Sequence, residues 1–308
     1  MGTPLLWVGF NLFVLLAIAL DLGVFHRKAH KIEIREAACW SAVWIALALV
    51  FGYFVWRWSG AQRGLEYLTG YVIEKALSVD NLFVFLVVFR TFQVDEQVQH
   101  RVLAWGILGA LVMRGLMIAA GAALVTRFDW IIPAFGVFLV YTGLHMLWKR
   151  DKEVHFERNP VFRFASSHLR VSKSYHGASF FVHENGQFLA TPLLLVLLVV
   201  EIADVAFAVD SIPAVFGITR DPYIVYTSNI FAILGLRALY FLLSDLLAYL
   251  RYLGIGLALV LIFVGVKMVL DPWWHISVGL SLVVVGIILL LTTIFSLWAG
   301  PRKEVMVK

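Results

Sequence analysis

Five carboxylates fall inside two of the most apolar stretches of the chain: Glu74 and Asp80 in GYVIEKALSVDNLFVF, then Glu201, Asp204 and Asp210 in LLVLLVVEIADVAFAVDSIPAVF. Each charge at the centre of a bilayer costs roughly 2.5 to 3.5 kcal/mol on insertion scales, so five acids in two segments mark a solvated or ion-filled interior. Carboxylates, with Asn81, Ser211 and freed backbone carbonyls beside them, are hard oxygen donors that suit manganese, magnesium or calcium rather than copper or zinc. Neither acidic span holds a thiol or a histidine. Two other chemistries compete with metal ligation. The acids could form buried ion pairs with Arg114, Arg237 and Lys75, which would offset three of the five. Clustered acids could also relay protons. Arg114 and Arg237 read as structural partners or gate locks rather than ligands.

The two acidic segments are halves of one repeat. Aligning Asp80 with Asp210 also aligns Glu74 with Asp204; downstream, Arg114 pairs with Arg237 and Gly143 with Gly265, at Arg-to-Gly distances of 29 and 28 residues. Glu201 has no acidic mate, since Tyr71 stands at its position, and is therefore expected to carry protons, with Asp80 and Asp210 as the symmetric metal pair. His145 corresponds to Lys267, and both read as polar packing or interfacial residues. Each repeat covers three spans, an odd number, so the repeats are expected to be inverted, as in many secondary transporters with a midplane substrate site.

Spacing within the spans predicts unwinding. Glu201 and Asp204 share a helical face at i, i+3, whereas Asp210 lies nine residues from Glu201, about half a turn of rotation away. Pro213 cannot donate to the carbonyl of Val209 and crowds it, so a break is expected beside Asp210. The first repeat has Phe83 at the matching position, which leaves Ser78, Asp80 and Asn81 as its expected irregular stretch.

These residues need elements to hold them. With 61% hydrophobic and 15% charged residues over 308 positions, the composition is that of a membrane protein. Apolar runs of about 20 residues, the length that crosses a bilayer, occur near 5–25, 38–58, 65–90, 102–125, 129–148, 190–217, 223–247, 249–270 and 275–298. The first has no basic residue before its apolar core and reads as a retained helix rather than a cleaved signal. Of the 25 lysines and arginines, 17 fall in alternate loops on one side and 4 on the other. The positive-inside rule then places the N-terminus outside and the C-terminus in the cytoplasm.

The predicted organisation is two N-terminal helices over 1–60, a three-helix repeat over 61–148, a cytoplasmic loop over 149–189, a second repeat over 190–271, and a last helix with a basic tail over 272–308. The loop carries His155, His168, His176 and His183, but without His-x-x-x-His or paired Cys spacing it reads as solvated. Its end, SFFVHENGQFLA, flanks Asn185-Gly186 with apolar residues, the signature of a tight hairpin. Cys39 is the single cysteine, which excludes an intramolecular disulfide and any Cys-based metal cage. No haem-ligand pair, nucleotide motif or Cys pair suggests an enzyme.

The motifs EKALSVDNLFVF, EIADVAFAVDSIPAVF and SNIFAILGLRALYFLL resemble those of the TerC family, in its Alx-like branch, and the resemblance covers nearly the whole chain. It implies an inner-membrane protein linked variously to tellurite resistance, redox balance and manganese efflux, with acidic positions matching Glu74, Asp80, Glu201, Asp204 and Asp210. The expectation is an all-α polytopic bundle of about nine helices that exports Mn2+ without a permanently bound cofactor. Its partners would be the lipid bilayer, the metal and protons, and no nucleic acid. The alternative is a membrane scaffold or redox modulator that supports metal loading of exported proteins.

Overall fold

The computed structural model describes residues 2–23, 34–128, 130–148, 171–172, 174–184, 187–244, 250, 252–274 and 276–300, without the side chains of residues 21–23, Asp80 and Phe83. Loop residues 149–170, including His155 and His168, and the basic tail after 300 lie outside the described residues.

Among the described residues, helix occupies most of each of the nine expected spans. In chain order these are α1 (Pro4–Gly23), α2 (Ile34–Ser59), α3 (Ala61–Thr91), α4 (Glu96–Arg127), α5 (Ile131–Trp148), α6 (Pro192–Phe216), α7 (Pro222–Ile233), α8 (Leu236–Leu243), α9 (Leu253–Leu270) and α10 (Val278–Ala299). Among the described residues, α2, α4, α5, α6, α9 and α10 are long and apolar enough to cross a membrane, and α7 with α8 forms a seventh span bent by 41°. Helix α1 is apolar over Pro4–Leu20. Helix α3 is long enough, at 31 residues, but Glu74, Lys75 and Asp80 fall within it. Backbone polar groups have no water to bond in hydrocarbon, which is why a chain of this composition closes its hydrogen bonds within helices.

Local sequence sets where the helices begin. Asp95 accepts from the amide of Gln97 at 2.9 Å to start α4, and Asp221 accepts from Tyr223 at 3.0 Å, ahead of Pro222, to start α7. Both are N-caps that satisfy an otherwise orphaned donor.

The helices alternate in direction, so their ends gather on two faces. At one face the start of α3, the start of α5, the end of α6, the end of α9 and the start of α10 line a common cavity. At the other, Tyr240 of α8 bonds Gln99 of α4 at 3.0 Å, and Ser296 of α10 accepts from the amide of Tyr252 at 2.9 Å. Exposed tryptophans mark both ends: Trp58, Trp130, Trp273 and Trp274 at the first, Trp148 and Trp298 at the second. Such belts sit at the level of lipid headgroups.

The expected hairpin is present: β1 (Phe181–Glu184) pairs antiparallel with β2 (Gln187–Ala190), with Glu184 opposite Gln187. It lies against the second face, where Phe180 packs edge-on to Trp105 and under Arg101, while Tyr175 donates to the carbonyl of Phe92 at 2.6 Å. His176 is held by the hydroxyls of Ser172 and Ser174, and His183 packs on Phe188.

Two expectations about irregular backbone are corrected. Helix α6 runs unbroken past Asp210, and Pro213 stands inside its last turn. A proline that close to a C-terminus removes one ladder bond where few remain. Helix α3 is likewise continuous through Ser78, Asp80 and Asn81. The interruption lies instead between α7 and α8 at Leu234 and Gly235. Gly235 has φ +81°, and a Cβ there would come within 2.7 Å of Trp44. Only glycine takes that conformation at low cost with an indole against it.

Helices α5 and α9 pack most intimately. A Cβ on Gly136 would lie 2.7 Å from the carbonyl of Gly265, and one on Gly143 would lie 2.7 Å from that of Ala258. Missing side chains let the two backbones touch, the usual means of helix association in lipid.

A buried guanidinium site between α3, α4, α6 and α7

Four polar side chains from four helices meet in the interior. Glu74 of α3, Arg114 of α4 and Asn229 of α7 are fully buried, and Asp204 of α6 is 3% exposed. Arg114 straddles the two acids. Its Nε and Nη2 donate to Asp204 Oδ2 and Oδ1 at 3.1 and 2.8 Å, a two-pronged pairing that matches the planar fork to the carboxylate. Its Nη1 donates to Glu74 Oε1 and, at 3.0 Å, to Asn229 Oδ1. Asn229 closes the ring by donating its Nδ2 to Glu74 Oε2 at 2.9 Å.

For Glu74 and Asp204, then, pairing with Arg114 is the geometry observed. Two carboxylates and one guanidinium leave one excess negative charge in a low-dielectric interior when all three are ionised. The neighbouring Lys75 is half-buried and donates to the carbonyl of Ala232 at 3.1 Å, in the last turn of α7 just before the break. The end of a half-helix presents unsatisfied carbonyls and the negative pole of its dipole, which suits an ammonium.

The other acids lie elsewhere. Glu201 is half-buried and presses on α4 where a Cβ on Gly109 would overlap its carboxylate. Asp210 is half-buried and meets the Thr142 hydroxyl of α5. Asp80 sits in α3, its side chain outside the description. Among the described residues no three His, Cys, Asp or Glu side chains are grouped as a metal would need.

Unpartnered oxygens flank the network instead. Ser78 Oγ, Asn81 Oδ1 and Ser211 Oγ are buried without a hydrogen-bond partner. Glu74, Ser78 and Asn81 repeat at i, i+4, i+7 and share a stripe of α3; Asp204 and Ser211 repeat at i, i+7 on α6. A buried acceptor left unbonded costs free energy. Arg237 is buried at the start of α8, directly after the Gly235 break, whereas Arg114 is central in an unbroken helix.

Sequence reasoning missed Asn229. The signal was there, because Thr227-Ser228-Asn229 is a polar run inside an apolar span, and all three side chains are buried.

Residues 59–304 match the model of the "Integral membrane protein TerC family". The chain is 50% identical over 285 residues to an "Uncharacterized membrane protein STKORF319" of Myxococcus xanthus, covering 92% of this chain and 89% of that one. It is 45% identical over 312 residues to the "Putative membrane-bound redox modulator Alx" of Escherichia coli K12, covering 98% and 97%. A membrane protein of Rickettsia bellii is 38% identical over 285 residues, covering 92% and 94%. No solved structure matches.

Proposed function

The chain belongs to the TerC family of integral membrane proteins, and from that premise we propose that it is a secondary transporter exporting a divalent metal, Mn2+, by way of the buried acids. The observation that carries this reading is the network itself, two buried carboxylates against one guanidinium, with buried hard-oxygen groups without partners about one to two helical turns away along α3 and α6. Glu74, Asp80, Asn81, Glu201, Asp204, Asp210 and Ser211 are the proposed ligand set. In the present conformation Arg114 holds Glu74 and Asp204, so loading requires Arg114 to give way to the metal. Cation and guanidinium then compete for the same carboxylates. This makes Arg114 a gate as well as a structural partner.

The inverted-repeat reading supports alternation of access. Aligning Gly143 with Gly265 aligns Gly136 with Ala258. The two close contacts, Gly136 with Gly265 and Gly143 with Ala258, are then exchanged by the repeat operation, as a two-fold axis between α5 and α9 requires. Discontinuous helices are also usual at transporter sites, and α7–α8 supplies one.

The excess of basic residues in alternate loops supports a bacterial-type inner membrane with the C-terminus in the cytoplasm. Exporting a cation against an inside-negative potential costs about 2.3 kcal/mol per charge per 100 mV, so proton entry is the proposed coupling. Glu201, which Arg114 does not hold, is the proposed proton carrier. No resident cofactor and no catalysis form part of this reading.

The second reading, a redox modulator, draws on the names of the relatives in Escherichia coli and Salmonella typhi. With Cys39 as the single thiol, one chain cannot cycle between dithiol and disulfide by itself. Purified protein in proteoliposomes with an enclosed manganese-sensitive dye separates the two. Flux in wild type that is lost in Asp80→Ala and Asp210→Ala supports the carrier, and absence of flux in wild type sinks it.

A further inference from the structure

A second polar centre lies away from the guanidinium network. At the tryptophan-ringed face that carries the α6–α7 connection, a cavity of about 170 Å3 is lined by Glu66, Phe216, Thr219, Arg220, Lys267 and Asp271, with others. Liquid water takes up about 30 Å3 per molecule, so the chamber has room for several waters or a hydrated ion. Its walls are built rather than incidental. Glu66, Thr219 and Lys267 are 8%, 5% and 4% exposed.

Glu66 is the hub. Thr219 donates its hydroxyl to Glu66 Oε2 at 2.6 Å, Arg63 donates to the same oxygen at 2.9 Å, and Gln62 reaches Oε1 at 3.4 Å. Arg63 also faces Asp221, the N-cap of α7, at 3.7 Å. The Lys267 ammonium, in the last turn of α9, is in the electrostatic field of Asp271 and Glu66. One carboxylate thus ties α3 to the α6–α7 connection and acts on Lys267 of α9 through its field. Helices α3, α6 and α7 are three of the four that carry the guanidinium network.

Phe216 closes the inner side. It is the last residue of α6, 2% exposed, and packs where a Cβ on Gly121 of α4 would come within 2.9 Å of its ring. Six helical residues, about 9 Å at 1.5 Å each, separate it from Asp210.

We propose that this chamber is the outer gate of the path: the Glu66–Thr219 bond is its latch, Phe216 its plug, and Lys267 a tethered cation that balances the acidic wall until a metal ion passes. This rests on the export reading. Glu66 and Asp271 line the chamber with Arg63, Arg220 and Lys267, and Asp221, outside the lining, faces Arg63, so acids and bases balance and the closed chamber does not hold a leaving cation. Removing the tethered cation or the latch hydroxyl is expected to open the chamber to outside solvent.

The test reads accessibility, not flux. In a Cys39→Ser background, Ser211→Cys reports on the space inside Phe216. A membrane-impermeant maleimide is applied from the outer face of right-side-out vesicles, and from the opposite face of inverted ones. Thr219→Val and, independently, Lys267→Met are each expected to speed outer labelling at least tenfold, with Gly254→Ala, at an open position, as the unaffected control. Unchanged outer labelling in whichever of the two remains monodisperse, or acceleration from the opposite face alone, overturns the gate. Gated labelling in the reporter chain, with no manganese flux by the wild-type protein in proteoliposomes, would sink the export reading while leaving the gate standing.

Discussion

Arg114 and Asp204, ninety residues apart in sequence, form a two-pronged ion pair in the bundle interior, at 3.1 and 2.8 Å. The same guanidinium also serves Glu74 and Asn229. A charge set of this kind is retained at a cost, because desolvating the ions offsets much of their attraction. Its energetic signature appears when one member is removed.

Arg114→Met should therefore destabilise the protein strongly, by about 3–5 kcal/mol, because two buried carboxylates lose their counter-charge. Thermal unfolding in detergent reads this as a lowered midpoint. Adding Glu74→Gln and Asp204→Asn to the same chain should recover part of the loss, since neutral amides need no counter-charge. Failure of the triple variant to recover would mean that Arg114 acts through packing alone.

Asn229 has no charge, and its removal should cost less. Asn229→Leu leaves Glu74 Oε2 without its 2.9 Å donor and is expected to cost about 1–3 kcal/mol. Proteoliposome flux should fall with it, because Glu74 is no longer oriented. Full activity in this variant would remove Asn229 from the site.

The α5–α9 contact tolerates no side chain. At Gly265 an added Cβ would meet the Gly136 carbonyl at 2.6 Å, so Gly265→Leu should cost about 1–3 kcal/mol through overpacking, or separate the helices. Gly286→Leu, at an open position of α10, is the matched control. Equal midpoints for the two would show that α5 and α9 are not in contact.

The break at Gly235 makes a different demand. Gly235→Ala should destabilise by about 1–2 kcal/mol from the left-handed backbone alone, with the Trp44 contact adding to it. Trp44→Ala in the same chain should restore only the steric part. Complete recovery would show that backbone strain contributes nothing.

Tyr175 ties the segment before the hairpin to the α3–α4 turn through its 2.6 Å bond to the Phe92 carbonyl. Burial pushes its phenol up from the ordinary range near 10. A folded-state pKa above the unfolded one contributes stability that is fully present below the unfolded value and lost as pH rises through the folded one. Hydrogen exchange near residues 92–94 should thus hold steady to about pH 9 and loosen above it in wild type. In Tyr175→Phe that region should be looser at every pH; identical profiles would show that the bond does not anchor the segment.

The spans were legible because a bilayer demands about 20 apolar residues per crossing, and that demand is local in sequence. So was the hairpin, since Asn185-Gly186 between apolar strands specifies a two-residue connection. The backbone breaks were not. Pro213 stands too near the end of α6 to interrupt it, whereas Gly235 breaks its span because Trp44, from a distant helix, packs against the turn. Lys267, read as a polar packing or interfacial residue, lines the chamber at the tryptophan-ringed face, and the Glu66 hub was not seen at all. Its partner Thr219 lies 153 residues away.

By itself the sequence determined that buried acids lie in a helical membrane bundle, because apolar length and inserted charge are properties of single segments. Only the tertiary structure decided that Glu74 and Asp204 share Arg114 and Asn229, while Glu201 and Asp210 stay outside that ring. In a medium that screens little, a carboxylate takes whichever cation packing brings within hydrogen-bond reach, and four helices must be in place before that is settled.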